Sequence, residues 1–202
     1  MTSRVDAQSI DIVTARLASA ATSLRIASDD EYLKDALRHA AATICKALIT
    51  GGKVVFVGNG GSAADAQHMA AELVSRFLYD RHPIAAIALT TDTSILTALA
   101  NDYGYRHVFS RQLEAVGHAG DVLVAYSTSG RSENILDALD TAKRLGIATI
   151  GLTGAAPNVM VEKCDICVQA PASSTAEIQE LHFVFGHIFC HIIEATLCPR
   201  KQ

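Results

Sequence analysis

The chain has no tryptophan, only 6 phenylalanines and 5 tyrosines, and 4 prolines among its 202 residues. Half of it is nonetheless hydrophobic while 5% is aromatic, so the apolar mass is alanine, isoleucine, leucine and valine. That content excludes intrinsic disorder, and the length excludes a small disulfide-held scaffold. No excess of basic charge is present. The 17 lysines and arginines are offset by 21 acidic residues and form no run, which argues against a nucleic-acid footprint. Nor does any stretch approach the ~18 consecutive apolar residues of a membrane span. Arg4, Asp6, Asp11, Arg16 and Arg25 interrupt the first 30 residues, so no signal-peptide core is expected there and the expected address is the cytoplasm. Cysteine is sparse and odd in number: Cys45, Cys164, Cys167, Cys190 and Cys198. Cys164 and Cys167 have C-x-x-C spacing but no second pair to complete a zinc ribbon. Beside a strand start rather than a thioredoxin-type turn, they read as reduced thiols, with redox or metal chemistry as the alternative.

An aliphatic, aromatic-poor chain suits a parallel sheet buried under helices, and its surplus suits burial against further copies of itself. The periodicity agrees. Helical spacing over residues 10–26 is followed by a helix capped at Asp29–Asp30 and running to about Ile49. Apolar runs at 53–57, 84–89, 122–126, 148–152 and 166–169 predict strands. Helical patterns at 62–77, 93–100, 106–116, 133–145 and 176–197 separate or follow them. Strands alternating with helices imply βαβ units. The expectation is one α/β domain over 1–202, a five-stranded parallel sheet flanked by helices in a flavodoxin-like three-layer arrangement. Residues 1–30 form a helical extension and 31–198 the core.

Ligands of such sheets sit beyond the carboxyl ends of the strands, and two strand-to-helix turns there are chemically loaded. Gly58-Asn59-Gly60-Gly61-Ser62 lets backbone approach a ligand at a helix start. Ser62 with Asp65 has the form of a capping box. Ser127-Thr128-Ser129-Gly130-Arg131-Ser132 places four hydroxyls at a second helix start, a setting for a phosphate monoester. Serine and glycine are also ordinary turn residues. A dinucleotide reading fits less well: Gly58-x-Gly60-x-x-Ala63 lacks the acidic partner ~20 residues on, and there is no Walker lysine.

Asp65, His68 and Glu72 follow the first turn, and His68 and Glu72 are i,i+4 on one helix face. They could form half of a metal site or an exposed ion pair. The last helix carries Glu177, Gln179, Glu180, His182, His187, His191 and Glu194 within an apolar stretch. Its histidines could be ligands or hydrogen-bonded core groups. Gln179 and His187 stand eight residues, or about 12 Å, apart along that helix.

Four segments, GNGGSAADAQHMAAELVSRF at 58–77, LTTDTSILTALANDYGY at 89–105, YSTSGRSENI at 126–135 and EIQELHFVFGH at 177–187, resemble the sugar isomerase (SIS) domain family, and within it the phosphoheptose isomerases. The resemblance covers nearly the whole chain. It implies isomerisation of sedoheptulose 7-phosphate to D-glycero-D-manno-heptose 7-phosphate, a precursor of nucleotide-activated heptose for lipopolysaccharide. Asn59, Gly60, Gly61, Asn101, Asp102, Ser127, Thr128, Ser129 and Ser132 would hold the sugar phosphate, the serine-rich turn taking the phosphate itself. His68, Glu72, Gln179 and His187 would bind one Zn2+ per subunit. Glu72, Gln179 and His187 would also lie near the reacting carbons, with Glu72 as carbon base and His187 as acid at oxygen. A ligand that also carries a proton has to change its ligation when substrate enters. The resemblance further implies a homotetramer with active sites at subunit interfaces. The other reading within the family is a non-catalytic tetramer that binds the bacterial replication initiator or senses a sugar phosphate. The initiator-binding relatives typically lack the acidic residue four after the histidine and the last helical histidine, which stand here as Glu72 and His187.

Overall fold

The computed structural model describes residues 2–200, with side chains from residue 11 onward. Its elements follow the alternation read from the sequence. Helices α1 (Thr2–Asp29) and α2 (Glu31–Ile49) lead into β1 (Val54–Val57), α3 (Gly61–Val74), β2 (Ala86–Ala88) and α4 (Thr93–Tyr103). A 3-10 turn at Tyr105–His107 precedes α5 (Ser110–Val116), β3 (Val122–Tyr126) and α6 (Glu133–Leu145). Then come β4 (Ala148–Gly154), α7 (Met160–Lys163), β5 (Ile166–Ala170) and α8 (Thr175–Leu197).

All five strands are parallel, in the order β2-β1-β3-β4-β5. Every residue of β1 and β3 is buried, because helices cover both faces and leave no solvent side to alternate toward. The period of two decides which core each strand residue enters. Val54, Phe56, Val122, Val124, Ile150 and Leu152 pack under α2, α3 and α8. Val55, Val57, Leu123 and Ala125 join Phe109, Leu113, Ile135 and Leu139 from α5, α6 and the turn before them. From β1 the chain moves outward to β2 and then returns to β3 on the other side. The order therefore reverses between β1 and β3, and a crevice opens beyond their carboxyl ends. Both loaded turns leave from there.

Helix α1 is anchored to α8: Ser19 and Arg16 donate to Glu177, and Arg16 also bonds Glu180 at 2.8 Å. Its residues Ile12, Val13, Leu17, Leu24 and Ile26 stay exposed. Among the described residues, no helix is long and apolar enough to cross a membrane.

The structure departs from the sequence reading in several places: the strand expected over 84–89 shortens to Ala86–Ala88, and the short helix α7 was not expected. Helix α3 ends at Val74 rather than Phe77, because the amides of Phe77 and Leu78 donate to Glu194 instead of to carbonyls one turn back. The helix expected over 106–116 divides into the 3-10 turn and α5. The capping box at Ser62 does not form. The N-cap is Gly60, whose φ of 57° turns the chain straight into the helix, and no side chain caps it. Ser62 is buried instead.

Candidate active site

At the carboxyl end of β3, Ser127 is buried and its hydroxyl lies 3.2 Å from that of Ser132. Ser129 accepts from the Arg131 amide at 3.3 Å. Thr128 and Ser129 line a cavity of about 580 Å³ with Arg131, Gly154 and Thr175. Ser132 is the N-cap of α6, yet its side chain makes no capping bond. Its hydroxyl is left with Ser127 as partner, and the first amides of α6 stand at a positive helix end.

At the end of β1, Asn59 forms a reciprocal amide pair with Asn134, at 2.8 and 2.9 Å, and accepts from the Tyr105 hydroxyl at 3.1 Å. Neither Asn134 nor Tyr105 was singled out from the sequence, although both stand in the segments that carry the family resemblance. The signal was a buried asparagine in the first turn of a helix, which needs a polar partner. Asn101 and Asp102 lie on α4, are exposed and bond each other at 2.8 Å. Among the described residues they make no hydrogen bond to another candidate.

Helices α3 and α8 run side by side and share a polar stripe. At one end Gly61 faces Gln179: a Cβ on Gly61 would lie 2.5 Å from Gln179 Nε2. The missing side chain is what admits the amide. Seven residues further along α3, His68 meets His187 with their Nε2 atoms 3.1 Å apart. His68 Nε2 also lies 3.3 Å from Glu72 Oε1. One ligand atom from each of His68, Glu72 and His187 lies within 4.8 Å of the others. Two imidazole nitrogens and a carboxylate oxygen in that space suit a zinc ion. The structure thus brings three of the four expected ligands together and sets Gln179 two helical turns away, against Gly61.

The rings around this cluster hold it. Phe183 stacks on His68 with centroids 4.9 Å apart and meets the His187 ring edge-on at 4.5 Å. Phe77 lies 5.3 Å from His187. Burial by these rings, then the neighbouring His68, lower the His187 pKa below the ordinary imidazole range, with Glu72 opposing. A neutral imidazole is the form that ligates a metal or accepts a proton. Burial likewise raises Asp65 to about 6, against the influence of His68.

Comparison with known proteins shows the family of the chain. The SIS domain family matches residues 18–154. The phosphoheptose isomerase of Rhodospirillum rubrum is 53% identical over 163 residues, 81% of this chain and 87% of that one. Among solved structures, a phosphoheptose isomerase from Neisseria gonorrhoeae superposes with a TM-score of 0.85 at 40% identity, covering 92% of this chain and 98% of that one. One from Francisella tularensis gives 0.87 at 37% identity, covering 92% and 97%.

Proposed function

We propose that this chain, which belongs to the SIS domain family and is an isomerase, converts sedoheptulose 7-phosphate to D-glycero-D-manno-heptose 7-phosphate. The observation that carries this reading is the convergence of His68 and Glu72, on the helix that leaves the first loaded turn, with His187 of α8. Relatives named phosphoheptose isomerase and the hydroxyl-rich turn over 127–132 support the substrate class.

The reaction moves one proton between C1 and C2 and another between their oxygens, through an enediol. In this reading Ser127, Thr128, Ser129 and Ser132, with the first amides of α6, bind the phosphate and fix the far end of the sugar. Asn59, held by Asn134 and Tyr105, bonds the sugar with the amides of Gly60 and Gly61, while Asn101 and Asp102 complete the contacts. Glu72 takes the proton from C1 and returns it at C2. His187, neutral at rest, carries the proton between the two oxygens. Gln179 orients the substrate from the other end of the stripe. His68, Glu72 and His187 are the residues that would hold zinc. Bound there, zinc supplies Lewis-acid polarisation of the substrate carbonyl.

The test is incubation of the purified protein with sedoheptulose 7-phosphate, with and without a chelator, followed by detection of the aldose product. Turnover is expected, lost on chelation and restored by zinc. Glu72→Gln and His187→Gln proteins should stay folded and lose about 10²–10⁴-fold in kcat, the usual worth of a proton-transfer group. Near-wild-type turnover in either variant removes that residue from the mechanism. No turnover by the wild-type protein rejects the substrate.

A further inference from the structure

A buried ion pair outside the cluster touches both helices that build it. Arg81, in the segment after α3, and Glu194, near the end of α8, have side chains 3% and 0% exposed, with Nε and Oε1 3.1 Å apart. Each makes further bonds that lead toward the site. Glu194 accepts from the amides of Phe77 and Leu78 at 3.0 and 2.8 Å. Arg81 donates to the carbonyls of Glu72 and Leu73 at 2.8 and 2.7 Å, and to those of Ser75 and His82. Glu72 and Leu73 lie in the last turn of α3, whose carbonyls have no partner further along the helix. A guanidinium there satisfies them and complements the negative helix end.

The consequences reach the cluster by short routes. Arg81 holds the backbone of Glu72 itself. Glu194 holds the backbone of Phe77, whose ring packs on His187, and stands seven residues after His187 on the same helix. Burial works against the Glu194 charge, yet the amides of Leu78 and Phe77 and the Arg81 charge keep its carboxyl below the ordinary range. Stability alone does not call for such a pair. Apolar side chains of similar volume commonly serve a buried site as well or better. What they could not do is bind the end of α3, the Phe77 amide and α8 at one point.

We propose that Arg81 and Glu194 are positioning residues, which hold Glu72 and His187 at the spacing needed for metal binding and proton transfer. The proposal rests on the isomerase reading of that cluster. Partners one shell out from metal ligands typically govern affinity or activity about 10–100-fold.

Two variants of the full chain test it. Arg81→Lys keeps the charge opposite Glu194 but cannot span the α3 carbonyls. Arg81→Met combined with Glu194→Met removes both buried charges. Zinc affinity is read by competition with a chromophoric chelator, without substrate. Thermal unfolding and the kcat and KM for sedoheptulose 7-phosphate are measured alongside. Both proteins should fold, bind zinc about 10–100-fold more weakly, and lose kcat by a similar factor. KM should stay within about three-fold, since phosphate binding is untouched. Wild-type zinc affinity and kcat in either folded variant overturn the proposal. So does failure of both to fold, which would make the pair a folding determinant only. If the wild-type protein binds zinc but does not isomerise this sugar, the substrate reading fails, and the zinc measurement still decides the role of the pair.

Discussion

At the scale of single residues, two histidines five positions apart on α8 serve opposite ends. His187 opens onto the cluster, while His182 has no exposed surface and lies beside the Tyr126 ring, 5.9 Å between centroids. The sequence could not separate them, since both are histidines on an apolar helix and only packing decides which one meets a partner. Burial pushes the His182 imidazole down to about 4, with the nearby Thr153 backbone opposing. Its ordinary value is 6.5. Between those values the unfolded chain takes up a proton that the folded chain refuses. The contribution is therefore fully present above 6.5 and is lost as pH falls toward 4, by up to about 1.4 kcal/mol per pH unit. Asp65, raised from 3.8 to about 6, acts with the opposite sign in its own interval. Asp121, Glu177 and Glu194, all lowered, contribute stability that is lost as pH falls below their ordinary values of 3.8 for the aspartate and 4.5 for the glutamates. Melting temperature measured from pH 6.5 to 4 should fall more steeply for the wild-type protein than for His182→Gln. Equal slopes would show that His182 is not the group responsible.

Among the elements, the starts of the longer helices α2, α3, α4, α6 and α8 divide into two kinds, while the short α5 and α7 have no side-chain cap. Asp30, Asp92 and Ser174 each accept a backbone N–H in the first turn of α2, α4 and α8. At α3 and α6 the N-caps are Gly60 and Ser132, and no side chain caps either helix. Those two helices follow β1 and β3, the strands flanking the reversal of strand order. An alanine at a working cap costs about 1 kcal/mol, but Ser132→Ala removes no capping bond. It should leave the melting temperature nearly unchanged. If the hydroxyl binds phosphate, KM should rise about 10–100-fold, matching the ~1.5–3 kcal/mol of a hydrogen bond to a charged group, while kcat changes less. An unaltered KM would remove Ser132 from the phosphate site. The positions of these elements were legible from periodicity, but their ends were not. The early stop of α3 depends on Glu194, 117 residues away from Phe77 in sequence, and no local pattern around residues 75–77 announces it.

For the molecule as a whole, the aliphatic surplus has a location. The side of α1 away from the core exposes Leu17 at 68%, Val13 at 57% and Ile12 at 56%, although Arg16 and Ser19 fasten the helix to α8. Side chains of this kind gain about 25 cal/mol per Å² when covered, and the homotetramer that the family resemblance implies would cover them. Light scattering should then give a native mass near four times the 21.4 kDa of the chain; a monomer would refute that assembly. Much of this was written in the sequence. Strand and helix periods, the two glycine- and serine-rich turns and the i,i+4 spacing of His68 and Glu72 are local features, and local sterics and burial are enough to set them. The tertiary structure alone decided the rest. It brought His187 onto His68 across 119 residues of chain, sent Gln179 to Gly61, paired Asn59 with Asn134, and closed Arg81 on Glu194. Such contacts depend on which faces of α3 and α8 meet over the sheet, and that is settled by the packing of the whole core rather than by any stretch of residues within it.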